Sequence, residues 1–274
     1  MESGDDVGAN LAAADDWLRE AADGGASLAV LPENFAGMAA AETWRRGIAE
    51  PDGNGPIQDT LADMARRHGL WLVGGTVPIA DAGESLPAAA CLVYDDHGAR
   101  RGRYDKMHLF DVQIPDADEA YRESANTAPG RRTLTVDLPW GRLGVAVCYD
   151  LRFPELFSRL AHEGAEIVAV PAAFTRPTGS AHWEVLIRAR AIDMLGYVAA
   201  AAQTGAHPGG RQTWGHSMLA GPWGEVLLDA GERPGVHLVG VDLARPAHLR
   251  DSFPVLEHRR ARIDMPTDSG DEDR

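Results

Sequence analysis

The chain has 274 residues, 41 acidic and 26 basic, for a net charge of −15, and 45% of it is hydrophobic. That acidity argues against nucleic-acid partners and against attachment to anionic lipid, since both need a basic face. The apolar share is too high for a disordered acidic chain and is enough for one sizeable core. Along the chain, Leu11, Ala14, Trp17, Leu18 and Ala21 fall at helical spacing, and Gly24-Gly25 closes that helix. Ser27–Leu31 is a short apolar run that stops at Pro32, as a buried strand does. Ile57, Leu61, Met64 and Ala65 share the face of a second helix ended by Gly69. Strands follow at Trp71–Val77 and Ala88–Tyr94, and Asp95-Asp96-His97-Gly98 turns the latter into a hairpin with Arg100–Tyr104.

The second half repeats this logic. Thr133–Leu138 turns at Pro139-Trp140-Gly141 into Leu143–Cys148, and a helix covers Pro154–Glu163. Ile167–Pro171 is a buried strand, Ala181–Leu195 a further helix, and Tyr197–Gln203 another strand. His216–Gly221 turns at Pro222-Trp223-Gly224 into Glu225–Asp229, and Val236–Asp242 is expected as a final strand. Helices separate the buried strands, so the pattern predicts a single α/β domain of covered sheets. No Gly-rich phosphate loop follows a strand, and no HExxH or CxxC is present, so no nucleotide cofactor or metal is expected. No apolar run reaches the ~18–20 residues of a membrane span. The start, MESGDDVGAN, lacks a signal peptide's basic and apolar regions. Two cysteines cannot build a disulfide framework, so a reducing, cytoplasmic compartment is expected.

Three residues invite chemistry. Cys148 lies where a strand gives way to a helix, near a dipole that favours the thiolate, although a buried structural cysteine fits the position equally well. Cys91 sits inside an apolar run and reads as structural. Glu33 follows a strand end, where desolvation raises a carboxylate's pKa and suits it to act as a base; an ordinary loop acid is the alternative. Lys106 is the chain's only lysine, against 25 arginines. A compact ammonium can approach a developing oxyanion where a broad guanidinium cannot, which gives its retention a functional reading. His108, His182, His207 and His216 are candidate partners for a cysteine, but no spacing assigns one a role.

LPENF around Glu33, YDKMHLFD around Lys106 and CYDLRFPEL around Cys148 closely resemble the three signature segments of the nitrilase superfamily, and the resemblance runs from about Ser3 to Arg260. It implies a four-layer αββα sandwich, hydrolysis of a carbon–nitrogen bond through a Cys148 thioester, and a homodimer or higher homo-oligomer. It further implies Glu33 as base, the Lys106 ammonium and the Tyr149 N–H as oxyanion donors, and Glu123 as a second glutamate that orients Lys106 and substrate. Phe174 is implied at the substrate, and Arg176, placed in the loop after it, is either a partner for a substrate carboxylate or an ordinary solvated loop arginine. The stretch Pro171–Val226 resembles amidases acting on deaminated glutathione, and Gln203, His207 and Arg211 carry that likeness. The expected substrate is a small carboxylate-bearing primary amide, foremost deaminated glutathione, with release of ammonia or amine. The ω-amidase branch, other small amides or N-carbamoyl compounds, an inactive scaffold and a His-assisted thiol peptidase are the alternatives.

Two departures stand out. Relatives carry a short strand just ahead of the position of Ser3, and here it is missing; the domain is expected over residues 1–263, with an acidic tail over 264–274. Asp105 stands where relatives often have Arg, and an acid there is expected to favour the charged form of Lys106.

Overall fold

The computed structural model describes residues 1–41, 43–114 and 119–260. Helix α1 (Val7–Asp23) starts where the Asp6 carboxylate accepts from the Ala9 N–H at 3.0 Å, satisfying an otherwise orphaned donor. β1 (Leu28–Val30), a short α2 (Trp44–Gly47), β2 (Glu50–Pro51) and α3 (Pro56–His68) follow, and Gly69 ends α3 in left-handed backbone at φ +62°. β3 (Trp71–Val73), β4 (Val77–Ala80), β5 (Ala88–Tyr94) and β6 (Arg100–Asp105) complete the first sheet. Its order is β1-β3-β5-β4-β2, with β6 also paired to β5. The strand expected over Trp71–Val77 is thus two strands running end to end along β5. Gly75 breaks it at φ +61°, and a Cβ there would lie 2.3 Å from the Pro32 carbonyl oxygen. Only glycine allows that approach, and the approach seats the loop that carries Glu33.

A ribbon of β7 (Asp111–Gln113) and β8 (Ala120–Arg122) leads into the second sheet. That sheet contains β9 (Thr135–Leu138), β10 (Gly141–Val145), β11 (Ile167–Ala172) and β12 (Tyr197–Ala202). Helices α4 (Pro154–His162) and α5 (Arg176–Met194) cross between its parallel central strands. A second ribbon, β13 (Thr204–Ala206) and β14 (Gln212–Trp214), precedes β15 (Met218–Ala220), β16 (Val226–Asp229) and α6 (Ala244–Ser252). The sheet order is β16-β15-β12-β11-β10-β9. Both Pro-Trp-Gly turns join antiparallel neighbours, β9 with β10 and β15 with β16.

Strand alternation builds the layers. Trp71, Val73, Cys91 and Val93 point at the second sheet, while Leu72, Leu92 and Tyr94 pack on Leu18, Leu61 and Met64 of α1 and α3. On the far side, Leu156 and Phe157 of α4 and Trp183 and Ile187 of α5 cover the second sheet. The result is the expected αββα sandwich.

Two expectations fail. The helix expected over Ala181–Leu195, α5, starts at Arg176, five residues before Ala181, because Pro177 occupies the first turn, where its missing N–H is harmless. Arg176 is therefore helical rather than in a loop. Val236–Asp242 pairs with no strand among the described residues, and Leu238 is 50% exposed. The apolar pattern is there but the pairing edge is not: a cleft of about 810 Å³ separates the segment from β1, whose only strand partner among the described residues is β3. The expected tail and the boundary at residues 263 and 264 lie outside the described residues.

Candidate active site

The C-terminal ends of β1, β6, β10 and β11 converge on one cavity of about 30 Å³. Glu33 stands three residues past β1, in a loop held by its Gly75 contact and by the Asn34 N–H, which donates to Thr76 Oγ1 at 2.8 Å. Gln203 Nε2 donates to the Glu33 carbonyl at 3.1 Å and to Ser3 Oγ at 2.8 Å, tying the same loop to the end of β12. Lys106 follows β6 directly and is 1% exposed. Its Nζ donates to Glu33 Oε1 at 2.7 Å and to Glu123 Oε2 at 2.8 Å. The Phe110 N–H donates to the same Glu123 oxygen at 2.8 Å.

Cys148 opens a 3₁₀ turn (Cys148–Arg152) at φ +49°, a left-handed conformation that costs a non-glycine residue about 1–2 kcal/mol. Asp150 holds that turn. Its carboxylate accepts from Tyr104 Oη at 2.7 Å, from the Val147 N–H at 2.8 Å and from the His108 N–H at 3.2 Å, and it bonds His108 Nδ1 at 2.6 Å. Sequence reasoning missed Asp150. The signal available was an acid two residues past the thiol, where a carboxylate can cap a helical turn. Cys148 and Glu33 line the same cavity, and the Ala173 N–H points at Sγ from 3.5 Å.

The electrostatics follow from burial. Burial and then the Glu33 charge push the Cys148 thiol well above its ordinary pKa, only partly offset by Lys106, so the resting sulfur is protonated. For Lys106, burial pulls downward, but the charges of Glu123 and Glu33 outweigh it and hold the ammonium fully charged. For Glu123, burial pulls upward, and Lys106 and Arg45 overcome it, leaving its pKa lowered. One cation between two carboxylates carries a net charge of −1, so a proton passing from Cys148 to Glu33 leaves the cavity's total charge unchanged.

Of the residues expected at the site, Glu33, Lys106, Glu123, Cys148, Tyr149 and Phe174 line this cavity. Arg176 does not: it pairs with Glu232 at 3.0 Å, over the Trp214 ring on the surface. Asp105 also falls elsewhere. Strand alternation turns it away from Lys106 to pair with Arg103 at 2.8 Å, so it is not what keeps the ammonium charged. Among the described residues no histidine lines the cavity, and no cluster of three or more His, Cys, Asp or Glu is arranged to hold a metal ion. Among them, too, no helix is long and apolar enough to cross a membrane.

A covered αββα sandwich with a buried Glu-Lys-Cys cluster at its strand ends defines a class of hydrolases. Residues 2–251 match the carbon-nitrogen hydrolase family, and the chain belongs to it. It is a hydrolase of carbon–nitrogen bonds with the nitrilase fold. It is 41% identical over 259 residues to a deaminated glutathione amidase of Yersinia enterocolitica, covering 94% of this chain and 90% of that one. It is 35% identical over 252 residues to the human omega-amidase NIT2, covering 92% and 90%. Among solved structures, the NitFhit protein of Caenorhabditis elegans superposes with a TM-score of 0.87 at 38% identity. This chain is covered over 95% of its length and spans 63% of that longer protein.

Proposed function

We propose that the protein is a Glu-Lys-Cys amidase that hydrolyses a small carboxylate-bearing amide, deaminated glutathione foremost, through a thioester on Cys148. The observation that carries this reading is the buried Lys106 bridging Glu33 and Glu123 beside the thiol. Glu33 takes the thiol proton as sulfur attacks the amide carbonyl. The Lys106 ammonium and the Tyr149 N–H, a leading donor of the 3₁₀ turn without a partner inside that turn, stabilise the oxyanion. Glu33 returns the proton to the leaving nitrogen, the C–N bond breaks, and the acyl group stays on sulfur. A water then gives a proton to Glu33 and its oxygen to the acyl carbon, releasing the acid and restoring the thiol. Lys106 remains protonated throughout, held by Glu123.

In deaminated glutathione the amide joins a keto-acid acyl group to a peptide amine, so the leaving group is an amine and not the ammonia of a primary amide. The test is to incubate the protein with deaminated glutathione and with α-ketoglutaramate, following amine and ammonia release respectively. Faster turnover of the first is expected; activity on α-ketoglutaramate alone moves the protein to the ω-amidase reading, which its likeness to the human omega-amidase supports. Turnover of neither substrate overturns the proposal.

Three further readings belong with this one. Val185 and Ile192 on α5, with Trp223 and Phe253, leave large apolar side chains 48–67% exposed, which supports self-association into a homodimer. Sedimentation at micromolar concentration tests it. A nucleophilic thiol and a second free cysteine suit a reducing cytoplasm. The 810 Å³ cleft runs along β1, which pairs only with β3 among the described residues, and its largely apolar lining suits one more strand there. A chain extended there by a strand-forming apolar segment should melt higher, and one that melts no higher counts against the added strand.

A further inference from the structure

We propose that Arg211 receives the substrate's carboxylate at a neck between the catalytic cavity and a hollow outside it; this rests on the amidase reading above. The inner cavity, about 30 Å³, has room for little more than the reacting group. Outside it lies a hollow of about 280 Å³, and the two share Asn34, Arg45, Tyr121 and Arg211 as wall. An amide whose acyl or amine part extends from the cavity into the hollow lies against these four side chains. Two are cations. Arg45 already acts on Glu123, whose carboxyl it helps hold low. Arg211 pairs with no carboxylate among the described residues. One guanidinium nitrogen donates to the Ala173 carbonyl at 3.1 Å, the group lies 5.1 Å from the Tyr121 ring, and its buried Nε has no hydrogen-bond partner. A guanidinium held flat with donors to spare is the form in which arginine binds a carboxylate.

The distance also fits. Ala173 offers its carbonyl to Arg211 and its N–H to Cys148 Sγ, so a single residue separates the guanidinium from the nucleophile. That places the two within about 10 Å by backbone dimensions. In α-ketoglutaramate and in deaminated glutathione the keto-acid carboxylate lies four bonds from the amide carbon, about 5 Å when extended. The hairpin presenting Arg211 is firmly built. His207 is buried, bonded to the Ser3 carbonyl at 2.8 Å and to Thr213 Oγ1 at 2.7 Å, and its N–H donates to the Arg211 carbonyl at 2.8 Å. Gly209 and Gly210, both at φ +85°, complete the turn. A carboxylate also approaches this protein against a net charge of −15, so a local cation has work to do.

The experiment compares α-ketoglutaramate with its analogue in which the carboxylate is replaced by a neutral carboxamide, using wild type, Arg211→Ala and Arg211→Lys. The wild type should prefer the carboxylate. Arg211→Ala should cut that preference in kcat/KM by roughly 10–100-fold, mainly through KM, the range for losing a charge-assisted hydrogen bond. Arg211→Lys should recover part of it. An Arg211→Ala protein that keeps the full preference, or that loses equally on both amides, overturns the assignment while leaving the amidase reading intact. A wild type inactive on both α-ketoglutaramate and deaminated glutathione overturns the amidase reading, and this inference with it.

Discussion

Two clusters of similar make-up lie three residues apart on the chain. In one, Lys106 bridges Glu33 and Glu123, and all three side chains are less than 10% exposed. In the other, Arg103 reaches Asp81 at 2.5 Å, Asp105 at 2.8 Å and Asp52 at 3.4 Å, with the acids 30–38% exposed. Odd spacing along an extended backbone sends Arg103 and Lys106 to opposite faces. One cation therefore meets water-screened acids, and the other meets acids with almost no solvent. The exposed cluster is replaceable stabilisation. The buried one is a committed arrangement of charge, unfavourable to break and set beside a thiol.

The largest expected effect tests whether the buried cluster does chemistry. Cys148→Ala should lower amide turnover by about 10⁴-fold or more, since nucleophile and base act as a unit. Near-normal turnover by that variant would remove the thioester route. Lys106→Arg should fold yet lose roughly 10²–10³ in kcat, the usual effect of one oxyanion donor. Full activity would reduce Lys106 to a counter-ion no different in kind from Arg103.

Stability separates the two clusters next. Lys106→Met leaves two carboxylates facing each other in the dark, and denaturant unfolding should show a loss of about 3–5 kcal/mol. Arg103→Ala should cost about 1 kcal/mol or less and leave kcat unchanged. Equal losses for the two variants would break the comparison.

Acid titration gives the smallest and most pointed contrast, because Glu123 and Asp105 shift in opposite directions. Glu123 is lowered in the folded protein, so its stabilisation is present above the ordinary carboxylate range and is lost as pH falls through the folded pKa. Asp105 is raised, chiefly by burial, so it weakens the fold at neutral pH and is relieved on acidification. Melting curves from pH 3 to 7 should show Glu123→Gln flattening the acid-side loss. Asp105→Asn should match or exceed the wild-type Tm near pH 7, by about 1–3 °C at most. A clear drop in Tm for Asp105→Asn would mean that its bond to Arg103 outweighs burial.

Much of this was legible in one dimension. The layered α/β pattern, both Pro-Trp-Gly hairpins and the strand-end positions of Glu33, Lys106 and Cys148 could be read from apolar runs and turn residues, which act locally. Glu123 was readable only through family likeness, because a loop acid acquires a role only from what it faces. Asp150 went unread since its value lies in four contacts to three residues, Tyr104, His108 and Val147, two of them over 40 positions away. Arg176 could not be decided from the sequence, because a cation after a strand looks the same whether it turns to the cavity or to Glu232.

What this amino-acid sequence determined alone is its periodicity, its turn chemistry and the oddity of one lysine among 25 arginines. These depend on neighbours within a few residues, where backbone geometry leaves few choices. Tertiary structure alone decided which acid belongs to which cation, that Asp105 turns away while Glu33 and Glu123 close in, and that Arg211 lines both the cavity and the hollow beside it. Electrostatic partnership falls off with distance and is amplified by burial, and neither quantity exists until the sheets have packed.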